Sequence, residues 1–297
     1  MESRTGDRRS SPLYLRCWGC RGSIPSPGPA TAGFGGNTSC LEVVVEGKRL
    51  VFDAGSGARP LGSRIQAEGP PPPSVDIFLT HFHWDHIQGF PFFSPMYGKG
   101  VRMDVHAPKQ GDVETRTLFA GQLGPIYFPV PFSAVSADVV FHDMNDGVWE
   151  MGGATVKALR TRHPSFTVGY RIEAMGKAIC YIPDNEMQAD QHPVGEGWRE
   201  RFLEFVSGAD VLFHDAMFTE EEYAQRVGWG HSTFEDALEL AVEAGVKRLF
   251  FFHHDPERSD AELNRILADY REQAARRRLD LEVNAAFEGK QLGLADL

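Results

Sequence analysis

The stretch FLTHFHWDHIQG, residues 78–89, places three histidines and an aspartate within six positions, directly after a short apolar run. A single histidine near a strand end is usually a polar residue with an ordinary structural partner. Packing has no need for four such side chains in the pattern H-x-H-x-D-H, whereas neutral imidazoles and carboxylates are the usual ligands of borderline metals such as zinc. The pattern therefore predicts a metal site at His81, His83, Asp85 and His86.

The composition is that of an ordinary globular protein, with 42% hydrophobic and 24% charged residues among 297. The formal net charge of −11 leaves no basic footprint, so we expect no extended nucleic-acid partner. No apolar run has the length that crosses a bilayer, and the polar N-terminus lacks an apolar signal core. We therefore expect no membrane partner and a cytoplasmic location.

The only close pair of cysteines lies in CWGC, residues 17–20. No second C-x-x-C accompanies it, so we do not expect a closed zinc knuckle. We interpret Cys17 and Cys20 as reduced, structural thiols of a cytoplasmic protein.

Local patterns place β-hairpins early in the chain and strand–helix units later. Strands are predicted at 13–18, 41–55 (a hairpin), 75–80, 154–163, 168–184 (a second hairpin), 210–216, 246–255 and 281–289, and helices at 112–121, 197–208, 232–245 and 259–278. The helix at 232–245 is expected to begin at a Ser232 cap, with Glu235 three residues later, and to stop at Gly245. This order predicts two packed sheets with helices outside them.

Residues 1–12 are expected to form a flexible tail and residues 13–297 a single domain. Residues 90–136 contain many Phe and Pro residues. They form either a hydrophobic flap packed on the core or a lid that walls the site, and the two interpretations are compatible.

Three more candidate ligands each follow a predicted strand: His163, Asp184 and one of His253 and His254. Strands that end at one edge of a sandwich bring their terminal loops together. Neighbouring strand residues point to opposite faces, so only one of the two adjacent histidines reaches the site easily. Seven ligands are too many for one tetrahedral zinc and suit two ions that share a carboxylate.

This succession of H-x-H-x-D-H and separate His, Asp and His residues resembles the metallo-β-lactamase superfamily, and FDAG at 52–55 is similar to its aspartate turn behind the site. The resemblance extends from about residue 13 to residue 289. It implies an α/β (α+β) fold, a four-layer αβ/βα sandwich of two mixed β-sheets with helices on the outer faces. It also implies two divalent metal ions, zinc in the first place, with manganese or iron as alternatives.

The family pattern divides the ligands into two sets. His81, His83 and His163 are expected to hold one metal, Asp85, His86 and His253 the other, and Asp184 bridges both. The ligand stands two positions before Asp255 in this pattern, which selects His253 over His254. A flavodiiron relative has Glu at the second motif position, and His83 argues against that branch.

Several other residues receive supporting or structural roles. Asp53 is expected to orient a ligand or the motif loop from behind. The loop at 36–39 either donates amide hydrogens to a phosphate or is only a turn. The histidines without a motif are taken as structural: His106, His142, His192 and His214.

Two more elements, LFHDAMF (212–218) and GHST (230–233), resemble the phosphodiesterase branch, which includes ribonuclease Z and cyclic phosphodiesterases. The opening GCRGSIPSPG (19–28) is also similar to that branch, whose first loop lies beside the site. In the branch an acidic residue of the first element orients a histidine of the second, which implies Asp215 and His231 here.

Only twenty residues separate His163 from Asp184. One type of ribonuclease Z inserts its tRNA-gripping arm there, and this chain has no room for it. Together with the negative charge, this argues against transfer-RNA processing.

These resemblances imply a dinuclear metal-dependent hydrolase, most simply a phosphoric diester hydrolase. A metal-bridging hydroxide would attack a small phosphodiester, such as a cyclic nucleotide or a cyclic ribose phosphate, while His231 protonates the leaving alkoxide. Asp85, Asp215 and His231 are the candidate catalytic residues. A homodimer is one option for the assembly.

Two alternatives stay open. One is hydrolysis of a thioester, lactone or β-lactam on the same metals, which does not need Asp215 and His231. The other is a metal-binding sensor that keeps the fold without catalysis.

Overall fold

The structure, a computed structural model, describes residues 11–70, 72–189 and 191–294. Its strands are β1 Leu13–Gly19, β2 Cys40–Val45, β3 Lys48–Phe52, β4 Ser74–Phe78, β5 Arg102–Pro108, β6 Asp138–Met144, β7 Gly147–Glu150, β8 Ala154–Arg160, β9 Val168–Ala174, β10 Lys177–Ile182, β11 Val211–Asp215, β12 Arg248–Phe252, β13 Glu282–Ala285 and β14 Gln291–Gly293. Its α-helices are α1 Ala58–Ala67, α2 Trp84–Ile87, α3 Thr115–Gln122, α4 Trp198–Val206, α5 Glu220–Tyr223, α6 Phe234–Glu243 and α7 Asp260–Arg277. Short 3₁₀ helices cover Phe90–Phe92, Ser94–Tyr97 and Phe132–Ala134. The tail expected at 1–12 lies outside the described residues, apart from Ser11 and Pro12.

The strands form two sheets of seven strands each. The first has the order β14-β1-β2-β3-β4-β5-β6 and the second the order β13-β12-β11-β10-β9-β8-β7. Both are mixed, because β3 to β6 run parallel in the first sheet and β10 to β13 run parallel in the second. Carboxyl ends of parallel strands lie at one edge of a sheet, where loops can converge on a ligand.

A shared apolar core joins the inner faces of the two sheets. Phe52 and Phe78 of the first sheet are fully buried with Tyr170 and Tyr181 of the second, and the Phe52 ring lies 5.3 Å from that of Tyr170. Helices α1 and α3 cover the outer face of the first sheet, and α4, α6 and α7 cover that of the second. The predicted four-layer αβ/βα sandwich is confirmed.

One helix start was predicted wrongly. Thr233 caps α6 through a capping box with Asp236, so the cap lies one residue after Ser232 and the acidic partner one residue after Glu235. Ser232 is occupied elsewhere, because its hydroxyl donates to the carbonyl of Asn185 at 2.6 Å. The predicted stop is confirmed: Gly245 follows the helix with a φ of +63°.

The Phe/Pro-rich stretch at 90–136 is not one continuous flap. Residues Arg102–Pro108 form β5, which pairs with β4 and β6 inside the first sheet. This strand lacks a regular alternation of buried and exposed residues, since Met103, Val105 and His106 are all buried. The remaining aromatic segments, at 90–97 and 115–134, pack against the outer face.

All four cysteines are free and buried. This agrees with the interpretation of Cys17 and Cys20 as unpaired structural thiols. None of the helices in the described part of the chain combines the length and hydropathy needed to cross a bilayer.

Replacement of Phe52 by alanine tests how much the two sheets depend on each other. The ring is fully buried and stacks on Phe78 at 5.2 Å, so we expect a loss of about 3–5 kcal/mol in the free energy of unfolding. Urea denaturation followed by circular dichroism measures it. Phe92→Ala is the control, because that ring is 55% exposed; equal losses in the two variants would contradict a common core.

Candidate active site

The seven predicted ligands come together at the carboxyl ends of strands from both sheets. The motif loop follows β4, and separate loops after β8, β10 and β12 bring His163, Asp184 and His253 to it. One potential ligand atom from each of His81, His83, His163 and Asp184 lies within 4.8 Å of the others, and the same holds for the set Asp85, His86 and His253. The structure therefore joins residues that are 172 positions apart in sequence, from 81 to 253.

Asp184 lies between the two sets. Its Oδ2 is 3.7 Å from Nε2 of His81 and 3.6 Å from Nε2 of His163. Its Oδ1 is 3.1 Å from Nε2 of His86 and 3.4 Å from Nε2 of His253. Each carboxylate oxygen thus faces one set, which is the arrangement that a bridging ligand requires.

Asp85 completes the second set. Its Oδ2 lies 3.2 Å from Nε2 of His86 and 3.1 Å from Nε2 of His253. The same oxygen accepts a hydrogen bond of 2.8 Å from the amide of Ser23. Ser23 belongs to the opening loop at 19–28, which therefore lies beside the site.

Buried polar atoms without a partner show that these residues fit a cation. Neither oxygen of Asp184 accepts a hydrogen bond, and Nε2 of His81 and of His86 are likewise unpartnered, although all three residues are buried. An unpaired buried carboxylate is costly, and a metal ion supplies the missing charge. Nitrogen and oxygen donors in this number suit zinc, manganese or iron.

Hydrogen bonds at the far side of each ring turn the free nitrogens towards the site. Nδ1 of His86 donates to Oδ2 of Asp53 at 2.8 Å, and Nδ1 of His163 donates to the Gly230 carbonyl at 2.9 Å. The hydroxyl of Thr80 bonds to Asp53 and so accepts from Nδ1 of His81 at 3.1 Å. These partners favour tautomers in which Nε2 of His81, His86 and His163 keeps a lone pair for a metal.

The turn at 52–55 supports the motif loop from behind, as expected. Asp53 has a φ of +60°, an uncommon conformation for a non-glycine residue, and it also accepts from the hydroxyl of Tyr181 at 3.0 Å. Gly55 permits close contact, since a Cβ there would lie 2.1 Å from the carbonyl oxygen of Asp85.

The adjacent histidines after β12 have separate roles. His253 faces Asp85 and Asp184, whereas Nε2 of His254 donates to the carbonyl of Ala286 at 2.9 Å. His253 has a φ of +58°, so the strand breaks its regular geometry where the side chain enters the site. The structure thus brings His253, and not His254, next to the other predicted ligands.

Charge states in the cluster favour metal binding. Burial lowers the pKa of His163 to about 3 and that of His81 well below its usual value, so both rings are neutral. Burial alone would raise the pKa of Asp184, but His253 and the other nearby imidazoles hold it well below its usual value. His81 and His163 therefore offer lone pairs, and Asp184 an ionised carboxylate, at neutral pH.

Asp215 and His231 form a hydrogen-bonded pair beside this cluster. Nδ1 of His231 lies 2.8 Å from Oδ2 of Asp215, and its ring stacks on that of His253 at 4.8 Å. Asp215 also accepts amide hydrogens from Asn185 and Met217. Burial lowers the pKa of His231, but the Asp215 carboxylate outweighs it, and the pKa is raised to about 9. The imidazole is therefore a proton donor at neutral pH.

Two amides of the loop at 36–39 already have acceptors within the protein. The amide of Asn37 donates to Glu288 at 2.6 Å, and that of Thr38 donates to the Ser56 hydroxyl at 2.9 Å. Of the histidines without a motif, His106 and His142 stack on one another away from the site. His192 and His214 lie close behind it without joining the metal cluster.

Sequence reasoning missed several residues that build the site from behind. Thr80 and Tyr181 bind Asp53, and Glu186 holds the loop that carries His231. Each is an ordinary strand or turn residue by local pattern. The only signal for Glu186 was its place two residues after Asp184, an acidic side chain that the structure buries completely.

Comparisons with known proteins agree with this geometry. The model of the family described as "Beta-lactamase superfamily domain" matches residues 48–254. A ribonuclease Z from Methanopyrus kandleri is 28% identical over 286 residues, which cover 86% of this chain and 92% of the relative. Human tRNase Z, short form, has a TM-score of 0.64 at 19% identity and 94% and 98% coverage. A diphosphatase from the PhnP family has a TM-score of 0.65 at 19% identity and 95% and 98% coverage.

The chain belongs to the metallo-β-lactamase superfamily, since the family model matches more than half of it. Its place in the phosphodiesterase branch, predicted from two short elements, is also confirmed. Its class is that of metal-dependent hydrolases. The prediction that extended nucleic acid is excluded is not supported, because relatives that cover most of the chain are ribonucleases.

Replacement of Asp53 by asparagine tests the support for the ligands. The amide offers Nδ1 of His86 a weaker acceptor and frees the tautomer, so we expect a loss of about 10–100-fold in affinity for one metal. Isothermal titration of the metal-free protein with zinc measures it. Asp76→Asn is the matched control, because Asp76 faces His106 at 3.5 Å on the same sheet, away from the cluster. Equal affinities in the Asp53 variant and the wild type would contradict the proposed support.

Proposed function

We propose that this protein is a dinuclear, zinc-dependent phosphodiesterase that acts on a small phosphodiester. The bridging position of Asp184, with one oxygen towards each set of ligands, carries this proposal. His81, His83 and His163 would hold one ion, and Asp85, His86 and His253 the other. When bound, two divalent ions supply Lewis acidity, an activated water and charge neutralisation at phosphorus.

The residues around the metals position and transfer protons. His231 would protonate the oxygen of the leaving group, since it lies against the second ligand set and carries a proton at neutral pH. Asp215 holds Nδ1 of His231, so that Nε2 faces the substrate. Asp85 would position the second metal while it is itself held by the Ser23 amide.

An aromatic groove next to the motif supports a small substrate with an apolar substituent. It has a volume of about 460 Å³, and Trp84, Phe92, Tyr127 and Phe128 line it together with uncharged neighbours. Trp84 is 74% exposed and Tyr127 is 75% exposed. Trp84 begins α2, which also carries Asp85 and His86, so the groove lies beside the helix that bears two of the predicted ligands. Aromatic faces of this kind stack on nucleobases.

Endonucleolytic cleavage of RNA is a second candidate. The ribonuclease Z from Methanopyrus kandleri favours it, because the match covers 92% of that enzyme. The net charge of −11 and the short segment between His163 and Asp184 oppose it, because a large RNA is bound chiefly through its phosphates. We therefore place the small diester first.

A substrate screen separates these candidates. The zinc-loaded protein is expected to hydrolyse p-nitrophenyl esters of thymidine 5′-phosphate and 2′,3′- or 3′,5′-cyclic nucleotides, and to leave a precursor transfer RNA intact. Chromatography of the products and denaturing gels measure the two reactions. Cleavage of the RNA alone would overturn the order of the candidates, and two bound metals without any ester hydrolysis would favour a sensor.

Replacement of His231 by alanine tests the general acid. We expect a loss of about 10²–10⁴-fold in kcat on the phenyl ester of thymidine 5′-phosphate. The loss on the p-nitrophenyl ester should be much smaller, because that leaving group needs no proton. Zinc content by mass spectrometry should stay unchanged. Equal losses on the two esters would contradict the general-acid role of His231.

Replacement of Trp84 by alanine tests the groove. Loss of one base-stacking contact should raise KM for the p-nitrophenyl ester of thymidine 5′-phosphate by roughly tenfold. KM for methyl p-nitrophenyl phosphate, which has no base, serves as the control and should hardly change. Steady-state kinetics measures both, and a parallel rise in the two KM values would speak against a base in the groove.

A further inference from the structure

Glu186 is a buried acidic residue that no step of the proposed reaction uses. Its side chain is completely buried two residues after Asp184. Oε1 accepts hydrogen bonds from the amide of Gly228 at 2.6 Å and from the hydroxyl of Tyr223 at 2.8 Å. Oε2 accepts one from the amide of Gly230 at 2.9 Å. A buried carboxylate is tolerated here because three donors converge on it.

The two amides belong to the loop that delivers His231. Gly228 and Gly230 have φ values of +86° and +90°, conformations that glycine adopts without strain. A Cβ at Gly230 would lie 2.4 Å from Nδ1 of His163. The loop therefore passes directly against a metal ligand, and His231 follows at its end.

The peptide groups next to Gly230 are held from two directions. The amide of Gly230 donates to Glu186, and its carbonyl accepts from Nδ1 of His163 at 2.9 Å. The same carbonyl fixes the tautomer of His163. Contacts with Glu186 and with His163 thus hold this loop on both sides.

Three consecutive residues after β10 each serve a different part of the site. Asp184 faces both ligand sets, the amide of Asn185 donates to Asp215 at 3.1 Å, and Glu186 holds the loop of His231. The Ser232 hydroxyl adds a bond of 2.6 Å to the Asn185 carbonyl. One short turn thereby connects the metals, the orienting carboxylate and His231.

We infer that Glu186 is the positioning residue that sets His231 against the metals. This inference rests on the proposed function, because it gives the proton of His231 a place in the reaction. Glu186 does not reach the substrate. It acts through the backbone of 228–230, and loss of its acceptors would let His231 move away from the leaving group.

Replacement of Glu186 by glutamine is the test. Glutamine keeps the volume but turns one acceptor oxygen into a donor, so at least one loop amide loses its partner. We expect kcat on the phenyl ester of thymidine 5′-phosphate to fall about tenfold or more, against less than about threefold on the p-nitrophenyl ester. Zinc content should be retained. Equal losses on both esters, as in a merely destabilised protein, would overturn the inference.

Amide exchange gives a readout that needs no activity. In the ¹⁵N-labelled, zinc-loaded protein, the amides of Gly228 and Gly230 should exchange more rapidly with solvent in the Glu186→Gln variant than in the wild type. Should the Glu186→Gln variant not fold, Tyr223→Phe takes its place. It removes only one donor to the carboxylate and should raise the exchange rates of the two amides by a smaller amount. Unaltered exchange of the Gly228 and Gly230 amides would refute the positioning role of Glu186. This readout remains valid even if the protein hydrolyses no diester.

Asp210→Asn is the matched control. Asp210 is a buried carboxylate that accepts the Ala178 amide at 2.9 Å and pairs with Lys247 at 2.7 Å, remote from the cluster. Its variant should lose stability without altering the ratio between the phenyl and p-nitrophenyl esters. A wild type that hydrolyses neither ester would refute the proposed function. If the Asp210 variant shows the same change as the Glu186 variant in the ratio of kcat on the two esters, the positioning role alone would be refuted.

Discussion

The site depends on one carboxylate that the protein leaves without a hydrogen-bond donor. Asp184 is buried between two sets of imidazole nitrogens, 3.1–3.7 Å from its oxygens. Such a group is stable only if positive charge is supplied close to it. The imidazole nitrogens and carboxylate oxygens around it are common metal ligands, so the cluster is suited to bind cations. Both sheets contribute to this arrangement, because Asp184 follows β10 of the second sheet and His86 follows β4 of the first.

A ring of acceptors behind the ligands makes the arrangement specific. Asp53, Thr80 and the carbonyl of Gly230 each take the outer hydrogen of an imidazole, and this leaves the inner nitrogens free. Three residues at this place have an unusual, positive φ: Ser23, Asp53 and His253. Local strain of this kind persists only where the surrounding packing determines it. The apolar core around Phe52 and Tyr181 provides that packing directly beneath Asp53.

Hydrogen bonds support His231 in the same way as they support the predicted metal ligands. Asp215 holds one nitrogen of His231, and Glu186 holds the loop that carries it. The two carboxylates are connected through a single turn after β10, which also carries Asp184. The exposed rings of Trp84 and Tyr127 line a groove beside the start of α2.

The sequence by itself determined the chemistry of the ligands and the class of the fold. H-x-H-x-D-H is a local pattern, and the later His163, Asp184 and His253 each follow a strand that local pattern also predicts. Tertiary structure decided what depends on distant partners. It assigned the oxygens of Asp184 to the two ligand sets, gave the α6 cap to Thr233, and placed β5 inside a segment taken for a flap. It also buried Glu186 against the loop at Gly228, which lies 42 residues further along the chain. A side chain's hydrogen-bond partners come from whatever the fold brings near it, and residue type and spacing contain no record of those partners.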